Sequence, residues 1–407
     1  MLEEVISLSK VIIAFLWCLA LYLVFDYHIR PQALKKHFSR FTNVCISDSQ
    51  SKAKRSKTSR KLKTKDEPWD DAFKKYDVEV SFIGKTWYVS TMSIEASQQA
   101  ENYVGSSLDR LLQSQVLKNL CPYALVHNSN SDKIEKRKKF LSKAISNKSC
   151  QQYIPKMEKF LKDAGVGKIN ESEIHRLVFG MLVAAIFGDG VQHIFDEVLE
   201  YDQQGWPGLL GTFDTKFKIK IAHKKAREVI KKWVYETKDE DWLFSHVMID
   251  SEDSKDIIFD DLLSFLLLGS QKVSDAVNLY LKYINKTTWD NFSNWIQEWL
   301  RIEPVLNTSL SYYVHDEIEI WGVKIPNGWI LTKNIKSIHH DPNQWQEASK
   351  YIPERFDVTS TYFTRPENKS RTLHSFCPFL WGKRSCPGEA LTISCMVTLL
   401  PHLAHSK

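Results

Sequence analysis

Four hydropathy regimes follow one another along the chain. Residues 5–25 read VISLSKVIIAFLWCLALYLVF, apolar apart from two serines and Lys10. The uncharged part, 11–25, is shorter than the ~20 residues a membrane-spanning helix needs at about 1.5 Å each. Adding residues 5–8 makes it long enough, with Lys10 snorkelling to the interface. After a short helical stretch from Trp69, the pattern becomes alternating in DVEVSFI and TWYVS. Only Gly84 and Lys85 separate the two runs, which predicts a β-hairpin. Thereafter helical periodicity dominates, around 133–146, 171–187, 216–236 and 257–284. The last of these contains LLSFLLLGSQ, apolar almost all round, so it must run through the interior. WDNFSNWIQEWLRIEP predicts a further helix ending at Pro304, and EIEIWGVKIPNGWILT reads as strands. A final helix is expected to start near Pro387 and to run through EALTISCMVTLLPHLA. The fold class is mainly α with a minor β-sheet.

Charge alters this picture in one place. The net charge is +6, but Lys52, Lys54, Arg55, Lys57, Arg60, Lys61, Lys63 and Lys65 outnumber that whole excess. The rest of the chain is slightly acidic, so the basicity belongs to a linker and gives no footprint for nucleic acid. Residues 42–65 are polar, basic and aperiodic, as expected of a tether against anionic headgroups or of plain solvated charge. Glu3 and Glu4 precede the apolar segment and no small-residue cleavage site follows it, so an uncleaved anchor is expected. Arg30, Lys35, Lys36 and Arg40 would keep its C-terminal flank, and the bulk of the chain, in the cytosol. Seven scattered cysteines form no CxxC pair, which points to reduced thiols.

The candidate chemistry lies in FLWGKRSCPG, residues 379–388. A thiolate needs help to stay ionised, and a helix N-terminus supplies it through unpaired N–H groups and the helix dipole. Cys386 is placed at such a terminus, with Pro387 suited to the first helical turn. Gly382 and Gly388 let backbone approach something bulky and flat, while Arg384 offers a rigid fork for a carboxylate. The bland alternative is a buried, inert cysteine at a helix start.

Phe379, Gly382, Arg384, Cys386 and Gly388 resemble the FxxGxRxCxG haem-ligand loop of the cytochrome P450 superfamily. Two further motifs occur in that family's order. Glu298 and Arg301 in EWLRIEP resemble its ExxR pair, although by themselves they describe any surface ion pair. IPERF, residues 352–356, resembles its PERF motif, with Arg355 joining Glu298 and Arg301 in a buried network. Residues 292–396 match well, and the earlier chain agrees in outline, with AAIFG like a helix ending. Arg137 in KIEKRKKFL resembles the arginine that reaches a haem propionate, though Lys133 stands where the family has tryptophan. A solvent-facing basic helix is the other reading of that segment.

The resemblance implies a cytochrome P450 fold and thiolate-ligated haem, with Cys386 as the iron ligand. It also implies NADPH–cytochrome P450 reductase as electron donor, a small lipophilic substrate, and membrane lipid as the third partner. Its central helix should carry a glycine, an acid and a threonine beside the oxygen site. LLGSQKVSD offers Gly269, Gln271 and Lys272 instead, unless a shifted register lets Ser270 or Ser274 hold a water. That loss, with EKRKKFL and FSHVMIDS, is similar to the orphan animal cytochrome P450 family numbered twenty. Only 28 residues separate Gly269 from Glu298, and 21 follow Cys386, so the expected fold is C-terminally truncated.

The expected organisation is a membrane anchor over 1–27, a basic linker over 28–68 and a haem domain over 69–407. The expected function is a monooxygenase of the endoplasmic reticulum, single-pass, with the haem domain facing the cytosol. A non-catalytic haem-binding or ligand-sensing protein is the alternative.

Overall fold

The computed structural model describes residues 44–48, 77–83, 86–110, 121–127, 132–165, 171–188, 227–228, 231–232, 255–281 and 292–405. The expected membrane anchor, and the linker apart from residues 44–48, lie outside them. Among the described residues, no helix is long and apolar enough to cross a membrane. The chain divides into two compact units, one made of 1–109 and 308–349, the other of 110–307 and 350–407.

The first unit holds the sheet. Its strands are β1 (Val44–Asp48), β2 (Val78–Ile83), β3 (Thr86–Thr91), β4 (Leu108–Arg110), β5 (Tyr312–Val314), β6 (Ile318–Ile320), β7 (Val323–Ile325) and β8 (Ile330–Lys333). Six of them form one sheet in the order β1-β2-β3-β8-β5-β4, and β6 pairs with β7. The expected hairpin is present, β2 against β3 with Ile83 opposite Thr86. Within the expected linker, Val44–Asp48 forms a strand parallel to β2. The signal was short: only Val44 and Ile46 alternate with smaller or polar residues before the basic run begins. Ile320 faces Val323 across a two-residue turn in which Trp321 and Gly322 both have positive φ, 52° and 72°. That is the geometry whose twist matches a hairpin.

Helix α1 (Ile94–Glu101) also lies in this unit, started by Ser93, whose Oγ accepts the Ala96 N–H. The core of the unit joins Val78, Val80, Val89, Ala96, Val314 and Leu331. Within it the rings of Trp87 and Trp329 stack at 5.0 Å.

The second unit is helical: α2 (Asp132–Ala144), α3 (Ile154–Ala164), α4 (Glu171–Phe187), α5 (Lys255–Leu281), α6 (Phe292–Ile302) and α7 (Glu389–His405). Sequence punctuation sets several ends. Pro155 sits in the first turn of α3, and Gly165 closes it in a left-handed conformation at φ 61°. Gly188, at φ 85°, ends α4 as AAIFG suggested, its N–H returning to the Ala184 carbonyl. α5 matches the helix expected over 257–284 and is buried along most of its 27 residues. Its Phe259, Leu262, Leu263, Leu266, Val273 and Val277 are buried in a core shared with α4 and α7. Of the helix expected over 216–236, only Arg227, Glu228, Lys231 and Lys232 are described, and they are helical.

The last helix begins later than the sequence suggested. Cys386 and Pro387 precede α7, whose first residue is Glu389. Backbone hydrogen bonds explain the delay: the Cys386 N–H is bonded back to the Phe379 carbonyl at 2.8 Å, and the Thr392 N–H bonds the Gly388 carbonyl at 2.9 Å. Helical pairing therefore starts from Gly388, and Pro387 lies in the turn before it.

Candidate functional site

Cys386 sits at the closing end of a tight loop. The Leu380 N–H bonds the Cys377 carbonyl at 3.0 Å, and residues Gly382–Arg384 make a 3₁₀ turn. Gly382 adopts φ 72°, the left-handed region that favours glycine, and Leu380 adopts φ 63°, a strained value for a bulky residue. Trp381 is buried and stacks on His374 with ring centroids 5.2 Å apart. Phe379 packs against the helical core, and Arg384 is buried.

Among the five described free cysteines, Cys386 is the exposed one. Surrounding protein nevertheless pushes its thiol pKa up, opposed by the Gly388 N–H directed at the sulfur and by the charges of Arg110 and Lys138. The residue thus keeps an exposed surface although protein surrounds its thiol. A Cβ at Gly388 would stand 3.7 Å from Sγ, in ordinary van der Waals contact, which shows how near the helix entrance lies to the sulfur.

Among the described residues, no three His, Cys, Asp or Glu side chains come together as a metal site. An iron porphyrin brings its other ligands with it and needs one protein donor such as Cys386. The donor set fits haem.

The sequence motifs also located a buried ion network. Glu298 and Arg301, on α6, are fully buried, as is Arg355 in the 3₁₀ turn Pro353–Phe356. Arg301 donates to Glu298 through Nε at 2.7 Å and Nη2 at 2.8 Å. Arg355 Nε and the Ile352 N–H reach the same carboxylate at 3.1 and 2.9 Å. Both guanidiniums also donate to the Lys350 carbonyl. Arg371, which no motif marked, extends the network by donating to the carbonyls of Arg355 and Phe363. Burial lowers its pKa to about 10, with the Arg355 charge adding to the effect.

The remaining site residues are placed elsewhere. Arg137, on α2, donates to Asp261 of α5 through Nε at 3.1 Å and Nη2 at 2.7 Å, and to the Tyr123 carbonyl at 3.0 Å. Asp261 in turn accepts the Leu125 N–H. Gln271 and Lys272 are exposed and both donate to Asp275, at 2.9 and 3.0 Å. Ser270 and Ser274 are the buried alcohols of that stretch. Ser274 Oγ donates to the Ser270 carbonyl and lies 3.2 Å from His175 Nδ1. Gly269 faces Leu182 of α4, which a Cβ would meet at 3.7 Å.

Sequence reasoning missed Lys138. Its Nζ donates to the Gly382 carbonyl at 3.2 Å, the Lys383 carbonyl at 2.9 Å and Ser385 Oγ at 2.7 Å. The signal was present, because adjacent helical residues point about 100° apart. With Arg137 turned to α5, Lys138 takes a different direction.

Comparison with known proteins bears on this geometry. Residues 292–405 match the family model described as Cytochrome P450. Over 86% of this chain and 89% of the other, the structure superposes on retinoic-acid-bound cyanobacterial CYP120A1 with a TM-score of 0.64 at 17% identity. The fold is that of a cytochrome P450. A zebra fish cytochrome P450 solved with progesterone gives a TM-score of 0.60 at 16% identity, covering 81% of this chain and 88% of that one. Among curated relatives, amorpha-4,11-diene 12-monooxygenase of Artemisia annua is 31% identical over 128 residues, 31% of this chain and 23% of that protein. Steroid 17-alpha-hydroxylase/17,20 lyase of Rattus norvegicus is 29% identical over 140 residues, 32% of this chain and 26% of that protein. The chain thus spans about a quarter of the length of the curated relatives it matches. The family model accounts for residues 292–405, and the structural likeness shows the fold.

Proposed function

We propose that the chain is a haem-thiolate monooxygenase that inserts one atom of O2 into a lipophilic substrate. The observation that carries this reading is Cys386, an exposed cysteine in a tight loop, with the Gly388 N–H directed at its sulfur and no cluster of three His, Cys, Asp or Glu side chains among the described residues. When bound, haem supplies the oxygen chemistry, with a thiolate ligand donating electron density to the iron. The residues of this chain do the rest. Cys386 would hold the iron, Gly382 and Gly388 would let backbone lie close to a flat group, and buried Arg384 would offer charge for a carboxylate. The network of Glu298, Arg301 and Arg355 stiffens the segment leading to the loop. Phe379 and the apolar length of α5 keep water away.

On the oxygen side, Ser270 and Ser274 are the hydroxyls that α5 buries beside Gly269, while Gln271 and Lys272 pair with Asp275. Proton delivery would then run through a serine-held water, since neither Gln271 nor Lys272 replaces a carboxyl relay.

The finer reading belongs with this proposal: residues 1–27 as an anchor in the endoplasmic reticulum, residues 28–68 as a linker, and 69–407 as the haem domain. NADPH–cytochrome P450 reductase would donate electrons in the cytosol. The oxygen-side substitutions also favour kinship with the orphan animal family numbered twenty.

The test is the visible spectrum of the full chain expressed in microsomes with haem supplied. The parent shows the red-shifted ferrous–carbonyl band of a thiolate-ligated haem, and Cys386→Ala loses it. A parent without the band refutes the cofactor assignment. Turnover of lipophilic compounds with reductase and NADPH then separates the enzyme from a haem-binding sensor, which would keep the band and form no product.

A further inference from the structure

We propose that Lys138 is a positioning residue for the Cys386 ligand: its ammonium clamps the turn that precedes the sulfur and holds a positive charge close to it. The inference rests on the haem-thiolate reading for its electronic consequence and on the loop geometry for its mechanical one.

An ammonium has three N–H donors and no acceptor. Lys138 directs them to three acceptors within four consecutive residues: the carbonyls of Gly382 and Lys383 and the hydroxyl oxygen of Ser385. Those two carbonyls belong to the 3₁₀ turn Gly382–Arg384. Carbonyls at the end of a helical turn carry partial negative charge, which a cation satisfies. Ser385 is fixed by the same ammonium and is followed immediately by Cys386. The clamp reaches from α2, a helix separated from the loop by about 240 residues of chain, so it ties the loop to the helical core.

Because Ser385 is bonded directly to Cys386, the same contact keeps the ammonium charge near the sulfur. Adding one electron to thiolate-ligated iron makes the centre more negative, so a nearby cation raises the midpoint potential. Removing the cation lowers it.

The experiment compares Lys138→Met, Lys138→Arg and the exposed-face control Lys139→Met in the full chain. Hydrogen exchange of the Ser385 and Cys386 amides is followed with and without haem, and the ferric–ferrous midpoint is measured by spectroelectrochemistry on the haem-loaded protein. Lys138→Met should speed exchange of both amides about tenfold and shift the oxidised-to-reduced ratio at fixed potential about tenfold, 59 mV negative for a one-electron couple. Lys138→Arg keeps the charge but cannot aim three N–H groups from one nitrogen. It should hold the parental potential while exchange rises in part, and Lys139→Met should change neither.

Unchanged exchange at residues 385–386 in Lys138→Met overturns the clamp, and an unchanged potential overturns the electrostatic role. If Lys138→Met fails to fold by circular dichroism, unchanged exchange in Lys138→Arg overturns the clamp in its place. A parent that takes up no haem refutes the haem reading, while exchange in the haem-free chain still decides the clamp.

Discussion

Replacing Glu298 by glutamine removes one negative charge and almost no volume, which isolates what the carboxylate does. In the parent it accepts four hydrogen bonds, two from Arg301, one from Arg355 and one from the Ile352 amide. All three side chains are fully buried, so water cannot take over when the charge goes. An amide can still accept at its oxygen, but its NH2 would face an arginine N–H, donor against donor. Two buried guanidiniums would be left against a neutral group. Removing one member of such a buried set costs about 3–5 kcal/mol, a large part of the ~5–15 kcal/mol that holds a domain folded. With a urea m-value of about 3 kcal/mol/M, the unfolding midpoint should fall by about 1–1.7 M, read by far-ultraviolet circular dichroism. Arg355→Met should cost less, because the bidentate contact between Arg301 and Glu298 within α6 survives it. A Glu298→Gln loss under about 1 kcal/mol, or Arg355→Met proving the worse of the two, would refute the electrostatic argument and leave packing as the network's main contribution.

Gly180→Ala should destabilise by about 1–2 kcal/mol in the same assay: the new Cβ would lie 2.0 Å from the Phe160 ring, and displacing that ring outweighs the gain of about 1 kcal/mol in helix propensity. Trp321→Asn should stabilise by about 0.5–1 kcal/mol, because asparagine tolerates the positive φ of the β6–β7 turn better than tryptophan. Asp357 accepts hydrogen bonds from the Thr359 N–H and Oγ1, which hold its carboxyl below the ordinary value of 3.8. A depressed carboxyl stabilises above the unfolded value, and that contribution disappears as pH falls through the folded one. Thr359→Ala should move the Asp357 titration upward in a carboxyl-resolved NMR experiment, and no movement would show that the hydroxyl does nothing.

Much of the fold was legible because it rests on local periodicity. The β2–β3 hairpin, α4 and α5 follow from alternation and 3.6-residue spacing, which neighbouring residues impose whatever surrounds them. β1 escaped because five residues are too few to stand out beside a basic run. The site divided in the same way. Glu298, Arg301, Arg355 and Cys386 were recognisable because each sits in a short string with fixed spacing, whereas Arg371 and Lys138 act through backbone carbonyls, which any sequence supplies.

What the chain's order of residues determined alone was a set of elements, a cysteine loop and the residues able to brace it. Which partner each charge would find was decided by tertiary structure, since that depends on groups brought together from distant parts of the chain. Arg137 and Lys138 are adjacent, yet one is held by Asp261, 124 residues away, and the other by carbonyls 244 and 245 residues away. Packing α2 into the helical unit fixed both directions at once, and no local pattern records the angle at which a helix will lie.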